Sequence, residues 1–211
     1  MGELFDSGFL YFSGLLEVLL EIIFYGRFVG KKGTVVQNIL FIILGCMIVN
    51  LPTGALLKLA IFTVALFMYG VLVLKASGGT AILYAILTAE IMQLCFGIIG
   101  SVTMVLSSFL YEINPTVFSK VFMIAGNLLA LCLTCLCYWI VFKCLANKED
   151  IQNQYVLIIL TPLLMIFVVS EYISHTFYGN IVSAQQASGF LISNHIQMLA
   201  VQALGIISIF A

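Results

Sequence analysis

Tyr155 to Asn180 reads YVLIILTPLLMIFVVSEYISHTFYGN, an almost charge-free apolar run that acquires Glu171, Tyr172 and His175 only toward its end. As a helix such a run is long enough to cross about 30 Å of hydrocarbon, and a bilayer tolerates an ionisable group inside a span only where something rewards it. Pro162 loosens the first turns without excluding the helix. Glu171 and His175 stand at i and i+4, so they share one face. The stretch predicts a membrane span with a functional polar end, and the other apolar runs become the wall around it.

Composition agrees with that setting. Hydrophobic residues make up 63% of the 211-residue chain, charged residues only 8%, and the mean hydropathy is +1.21. A soluble domain carries about a quarter of charged residues, so this chain reads as an integral membrane protein. Its continuous apolar runs predict an all-α polytopic transmembrane bundle and exclude the alternating segments of an outer-membrane barrel. A net charge of -1 offers no field for nucleic acid. The cysteines lie within or at the ends of apolar runs and read as packing residues; Cys132 and Cys135 match C-x-x-C, but no second Cys or His pair nearby completes a ligand set. The start of the chain includes Glu3 and Asp6 and lacks the basic region of a cleavable signal, which predicts a retained first span.

Taken in order, about seven spans are expected. The first covers Gly8 to Tyr25, with Glu17 and Glu21 on one face, and is followed by the basic loop GRFVGKKG, Gly26 to Gly33. The second covers Val35 to Val49, and Asn50-Leu51-Pro52-Thr53-Gly54 turns the chain. The third covers Ala55 to Leu74 and ends at Lys75-Ala76-Ser77-Gly78-Gly79. The fourth, Thr80 to Tyr111, exceeds the ~20 residues that a span needs, so it tilts, bends near Gly97 and Gly100, or protrudes. Glu90 and Gln93 lie within it, one turn apart, and are candidates for ligand contact or signal coupling. The fifth ends near Leu145 and carries Asn127, which reads as interhelical glue. The opening stretch is the sixth, and Gly189 to Ala211 makes a seventh with a polar beginning at Asn194 and His195.

Cations set the orientation. Arg27, Lys31, Lys32, Lys75, Lys143 and Lys148 flank one side, whereas Lys58 and Lys120 flank the other, which predicts the N-terminus outside and the C-terminus inside. The candidate ligand-binding or signal-coupling residues are thus Glu90, Gln93, Glu171, Tyr172, His175, Asn194 and His195. No metal site, catalytic residue or cofactor is expected: although His175 and Glu171 stand four apart, H-E-x-x-H is absent, and His175 and His195 fall in different segments.

Three segments carry a family resemblance: Leu83-Tyr84-Ala85-Ile86-Leu87-Thr88, Ile91 to Ile99 (IMQLCFGII), and Gly126-Asn127-Leu128-Leu129-Ala130-Leu131. Together with Val169 to Ile173, Tyr178-Gly179-Asn180 and Ser193-Asn194-His195, their order along the chain resembles the membrane domain of GHKL-type sensor histidine kinases, similar to the accessory gene regulator (AgrC-like) peptide receptors. The resemblance implies a single transmembrane sensor domain over residues 1–211, in a bacterial plasma membrane, that receives an extracellular peptide-like signal and passes it through its last helices. It also implies homodimerisation through a parent kinase. The chain holds neither a phosphoacceptor His region nor ATP-binding boxes, so the expected module is not itself an enzyme. Two other readings fit a chain of this kind: the substrate-binding membrane subunit of a small-molecule transporter, and an intramembrane peptidase, which requires a Cys–His pair that the sequence does not bring together.

Overall fold

The computed structural model describes residues 2–110, 115–145, 196–197 and 199–207, and among them every regular element is helical. Helix α1 spans Gly2–Val29, α2 Val35–Val49, α3 Ala55–Met68, α4 Gly78–Leu110 and α5 Pro115–Leu145; 199–207 is helical as well. Among the described residues two segments are long and apolar enough to cross a membrane, Gly78–Thr103 in α4 and Ile124–Lys143 in α5, while Val35–Val49 and Leu57–Val73 are apolar but shorter. The sixth expected span lies outside the described residues.

Local chemistry explains where these helices stop. The first helix runs past both of its expected ends, and at the C-terminal one Gly26 does not break it. The break comes at Gly30, in the left-handed region at φ 71°, with Lys31 N–H donating to Gly26 O at 3.1 Å and Gly30 N–H donating to Arg27 O at 3.2 Å. This pair of bonds is a Schellman closure, and a glycine accepts the left-handed conformation without a Cβ clash. Helix α2 has the expected limits and begins with a capping box: Thr34 Oγ1 accepts from Gln37 N–H, and Gln37 Oε1 accepts from Thr34 N–H at 2.9 Å. At its other end the Asn50 amide donates to Cys46 O at 2.8 Å.

Helix α3 does not end cleanly. Its last turn widens to π geometry over Tyr69–Val73, with Leu74 N–H reaching Tyr69 O at 3.1 Å, and it stops at Lys75 in the left-handed region at φ 52°. The Lys75 carbonyl accepts from Lys31 Nζ at 2.5 Å, which ties the two basic loops together. Ser77 then opens α4, its Oγ accepting from Thr80 N–H at 3.4 Å.

Contacts divide the chain into two compact units. The first contains α1 to α3, α4 through Met92 and α5 from Cys135 onward. Its centre is built from Val18, Tyr25, Phe41, Phe62, Leu66 and Tyr69. The Phe41 ring stands 4.8 Å from Tyr69 and 6.1 Å, edge-on, from Phe62. Gly45 lets α1 and α2 approach, since a Cβ there would stand 2.6 Å from Val18 Cγ1. Small residues at such crossings are how helices pack where no water drives them together. The outer face of α2 presents Val36, Ile39, Leu40, Ile43, Leu44 and Met47, all exposed.

The second unit contains the remainder of α4, α5 through Thr134 and the 199–207 helix. There Gln202 is buried against Gly97, at a distance that leaves no room for a Cβ, and its Oε1 accepts from Ser101 Oγ at 3.3 Å. A side-chain hydrogen bond between helices is the usual adhesive of a membrane bundle.

Candidate functional site

Within the first unit, the polar residues of α4 sit where the helix is most enclosed. Ala85, Leu87, Thr88, Ala89, Glu90, Ile91 and Met92 are all buried, and Glu90 is only 1% exposed. Among the described residues, neither Glu90 carboxyl oxygen has a hydrogen-bond partner, and the Thr88 hydroxyl oxygen has none either. A buried carboxyl left unsatisfied costs about 1–3 kcal/mol or more, so it is retained against stability rather than for it.

The same stretch of α4 is tied to a distant part of the sequence. Tyr138 of α5, itself fully buried, donates its hydroxyl to the Thr88 carbonyl at 2.7 Å. Its ring packs on Phe24 at 4.9 Å and, edge-on, against Phe28 at 5.9 Å, both from α1. The tyrosine thus fixes α5 to α4 at Thr88, and the aromatic contacts fix α1 to α5. Glu90 is therefore a carboxyl group able to hold a proton, accept from a donor or balance a cation, in a buried stretch of an apolar helix.

A second polar line runs along α1. Ser13 Oγ donates to Glu17 Oε1 at 3.2 Å, Glu17 is half-buried and Glu21 is buried at 5% exposure. Glu17 and Glu21 thus form the single face expected of them, and Glu21 turns inward.

Of the residues singled out from the sequence, Glu90 is fully enclosed and Gln93, one turn on, is half-buried. Glu171, Tyr172, His175, Asn194 and His195 lie outside the described residues. Thr88 and Tyr138 were not legible as site residues: they stand 50 positions apart, and neither carries a charge to mark an apolar helix. Tyr69 and Asn38 were also missed; the Tyr69 hydroxyl donates to Asn38 Oδ1 and joins the π turn to α2. Their only sequence signal is that a Tyr and an Asn stand near the ends of apolar runs, where such residues are common.

Set against known proteins, the chain matches no protein-family profile, no curated protein and no solved structure.

Proposed function

We propose that this chain is a polytopic membrane module that receives a signal from outside the cell, in about seven spans with the N-terminus out and the C-terminus in. Support for the membrane setting comes from composition, from the two long apolar helices and from the exposed apolar face of α2. Support for the orientation comes from the first unit, where the Lys31–Lys75 bond gathers two basic loops at one end.

The observation that carries the signalling reading is the orphaned carboxyl of Glu90. A receptor needs an element whose interactions differ between two packings, and a ligand shifts the balance only by its differential contacts. An enclosed acid with no partner in one packing gains one in another, through a helix shift or a ligand donor. The resemblance of Leu83 to Thr88, Ile91 to Ile99 and Gly126 to Leu131 to GHKL-type sensor domains supplies the rest, with a secreted peptide as the signal class and a kinase as the downstream element. The same unpartnered carboxyl also favours a second reading, the substrate-binding subunit of a transporter, in which the acid meets a cationic or hydrogen-bond-donating substrate.

The test is titration of the purified full chain in nanodiscs with apolar cyclic peptides and, separately, with small vitamins, read by fluorescence of Trp139, the chain's single tryptophan. Saturable peptide binding that is lost in Glu90→Gln supports the sensor. Saturable vitamin binding without a peptide response moves the reading to the transporter subunit, and no saturable response to either class overturns ligand reception at Glu90.

A further inference from the structure

A cavity of about 560 Å³ opens in the first unit between the last turns of α1, the loop to α2, Tyr69 and Phe142 of α5. Its size falls within the range of small-ligand sites, roughly 300–1,000 Å³. Arg27, Lys31 and Lys32 line it, and among the described residues no acidic one does. The Arg27 guanidinium is 5.6 Å from the Phe24 ring centroid and Lys31 Nζ donates to a backbone carbonyl. An aromatic face and a carbonyl orient these cations but do not neutralise them.

The neutral polar groups add donors to the same cleft. Asn38 also lines it, and with its Oδ1 engaged by the Tyr69 hydroxyl, its amide nitrogen keeps two hydrogens to give. The capping box of Thr34 and Gln37 already serves the start of α2, so the anion-attracting groups are side chains rather than that helix end. Beneath the cations the lining is apolar, from Ile22, Ile23 and Phe142. Immediately after the loop, the exposed apolar stripe of α2 begins at Val35 and Val36 and continues down to Met47.

Three cations and an amide donor fit a phosphate group, and the apolar lining with the adjoining stripe fits a molecule that carries chains. We propose that this cleft binds the phosphate of an anionic phospholipid, with the acyl chains lying along the outer face of α2. A soluble phosphate shares the headgroup chemistry but makes no use of the apolar lining or the stripe. The inference requires the membrane setting and is independent of any ligand received outside.

The experiment uses the purified full chain in neutral detergent. Native mass spectrometry counts retained phosphatidylglycerol against phosphatidylcholine, and thermal midpoints are measured with each lipid and, in separate arms, with inorganic phosphate and glycerol phosphate. Phosphatidylglycerol is expected to be retained and to raise the midpoint. Arg27→Gln combined with Lys32→Gln, which leaves the Lys31 bond intact, is expected to weaken retention about thirtyfold, from the loss of two cations near an anionic surface. Arg27→Lys with Lys32→Arg should retain the lipid, as should Lys58→Gln, whose charge lies outside the cleft. If the double Gln variant does not fold, Lys32→Gln alone serves, with a severalfold loss expected. Equal retention by parent and Gln variants, equal retention of phosphatidylcholine, or a full thermal shift from soluble phosphate alone would overturn the proposal.

Discussion

Helix α2 and the enclosed part of α4 are both strongly apolar, yet they are used in opposite ways. In α2 the apolar residues Leu40, Ile43, Leu44 and Met47 look outward, and only Phe41, Gly45 and Ile48 are buried. In α4 nearly every residue from Leu83 to Met92 is buried or half-buried, and Thr88 and Glu90 are among the most enclosed. The polar residues of α2, Gln37 and Asn38, stand at its end instead. Where the surroundings are as apolar as the interior, hydrophobicity no longer marks the inside, and the buried polar residue does.

That contrast can be broken by substitution, and the largest effect should come from the inward face of α2. Phe41→Ala is expected to cost about 2–4 kcal/mol, mostly lost packing against Phe62 and Tyr69 because lipid replaces water as the alternative environment. Equilibrium unfolding in mixed micelles measures it, and a cost below that of Leu44→Ala would reverse the assignment of faces. Gly45→Val should cost roughly 1–3 kcal/mol by forcing α1 and α2 apart at Val18. Its signature is lost thermal stability together with reduced crosslinking between the two helices, and unchanged crosslinking would refute the close approach.

Smaller effects sharpen the α4 side. Tyr138→Phe removes one buried hydrogen bond to Thr88 O while keeping the ring on Phe24, so about 1 kcal/mol of stability should go, with little change in fold. A cost as large as that of Phe41→Ala would mean that the hydroxyl organises more than one contact. Leu44→Ala, on the exposed side of α2, should stay within about 0.5 kcal/mol of the parent in the same assay.

Much of the helical framework was legible because its punctuation is local. Thr34 with Gln37 opens α2, and Asn50-Leu51-Pro52 follows its end, so its limits could be read directly. The end of α1 was misplaced by one turn because Gly26 and Gly30 look alike in sequence, and only the backbone bonds from Gly30 and Lys31 decide which one stops the helix. The π turn at Tyr69–Val73 leaves no mark in an apolar run, since it is a change of hydrogen-bond register and not of residue type. Glu90 stood out as a lone acid in an apolar span. The Tyr138 contacts with Thr88 and Phe24 did not, because pairing between distant helices is set by tertiary packing that no single helix encodes. The cleft at Arg27, Lys31 and Lys32 was equally hidden: the cations were legible as a topological signal, but their convergence on Asn38 and Phe142 required the fold.

Glu90, enclosed in α4 without a hydrogen-bond partner among the described residues, is predicted to lower the stability of the fold. Replacing it with leucine removes an unsatisfied buried carboxyl and leaves an apolar side chain among apolar neighbours. The direct measurement is the unfolding free energy of Glu90→Leu and the parent, side by side in the same micelles. A variant about 1–3 kcal/mol more stable than the parent is the predicted result. A variant less stable by a similar amount would contradict the account and make Glu90 a structural residue with a partner that holds the bundle together.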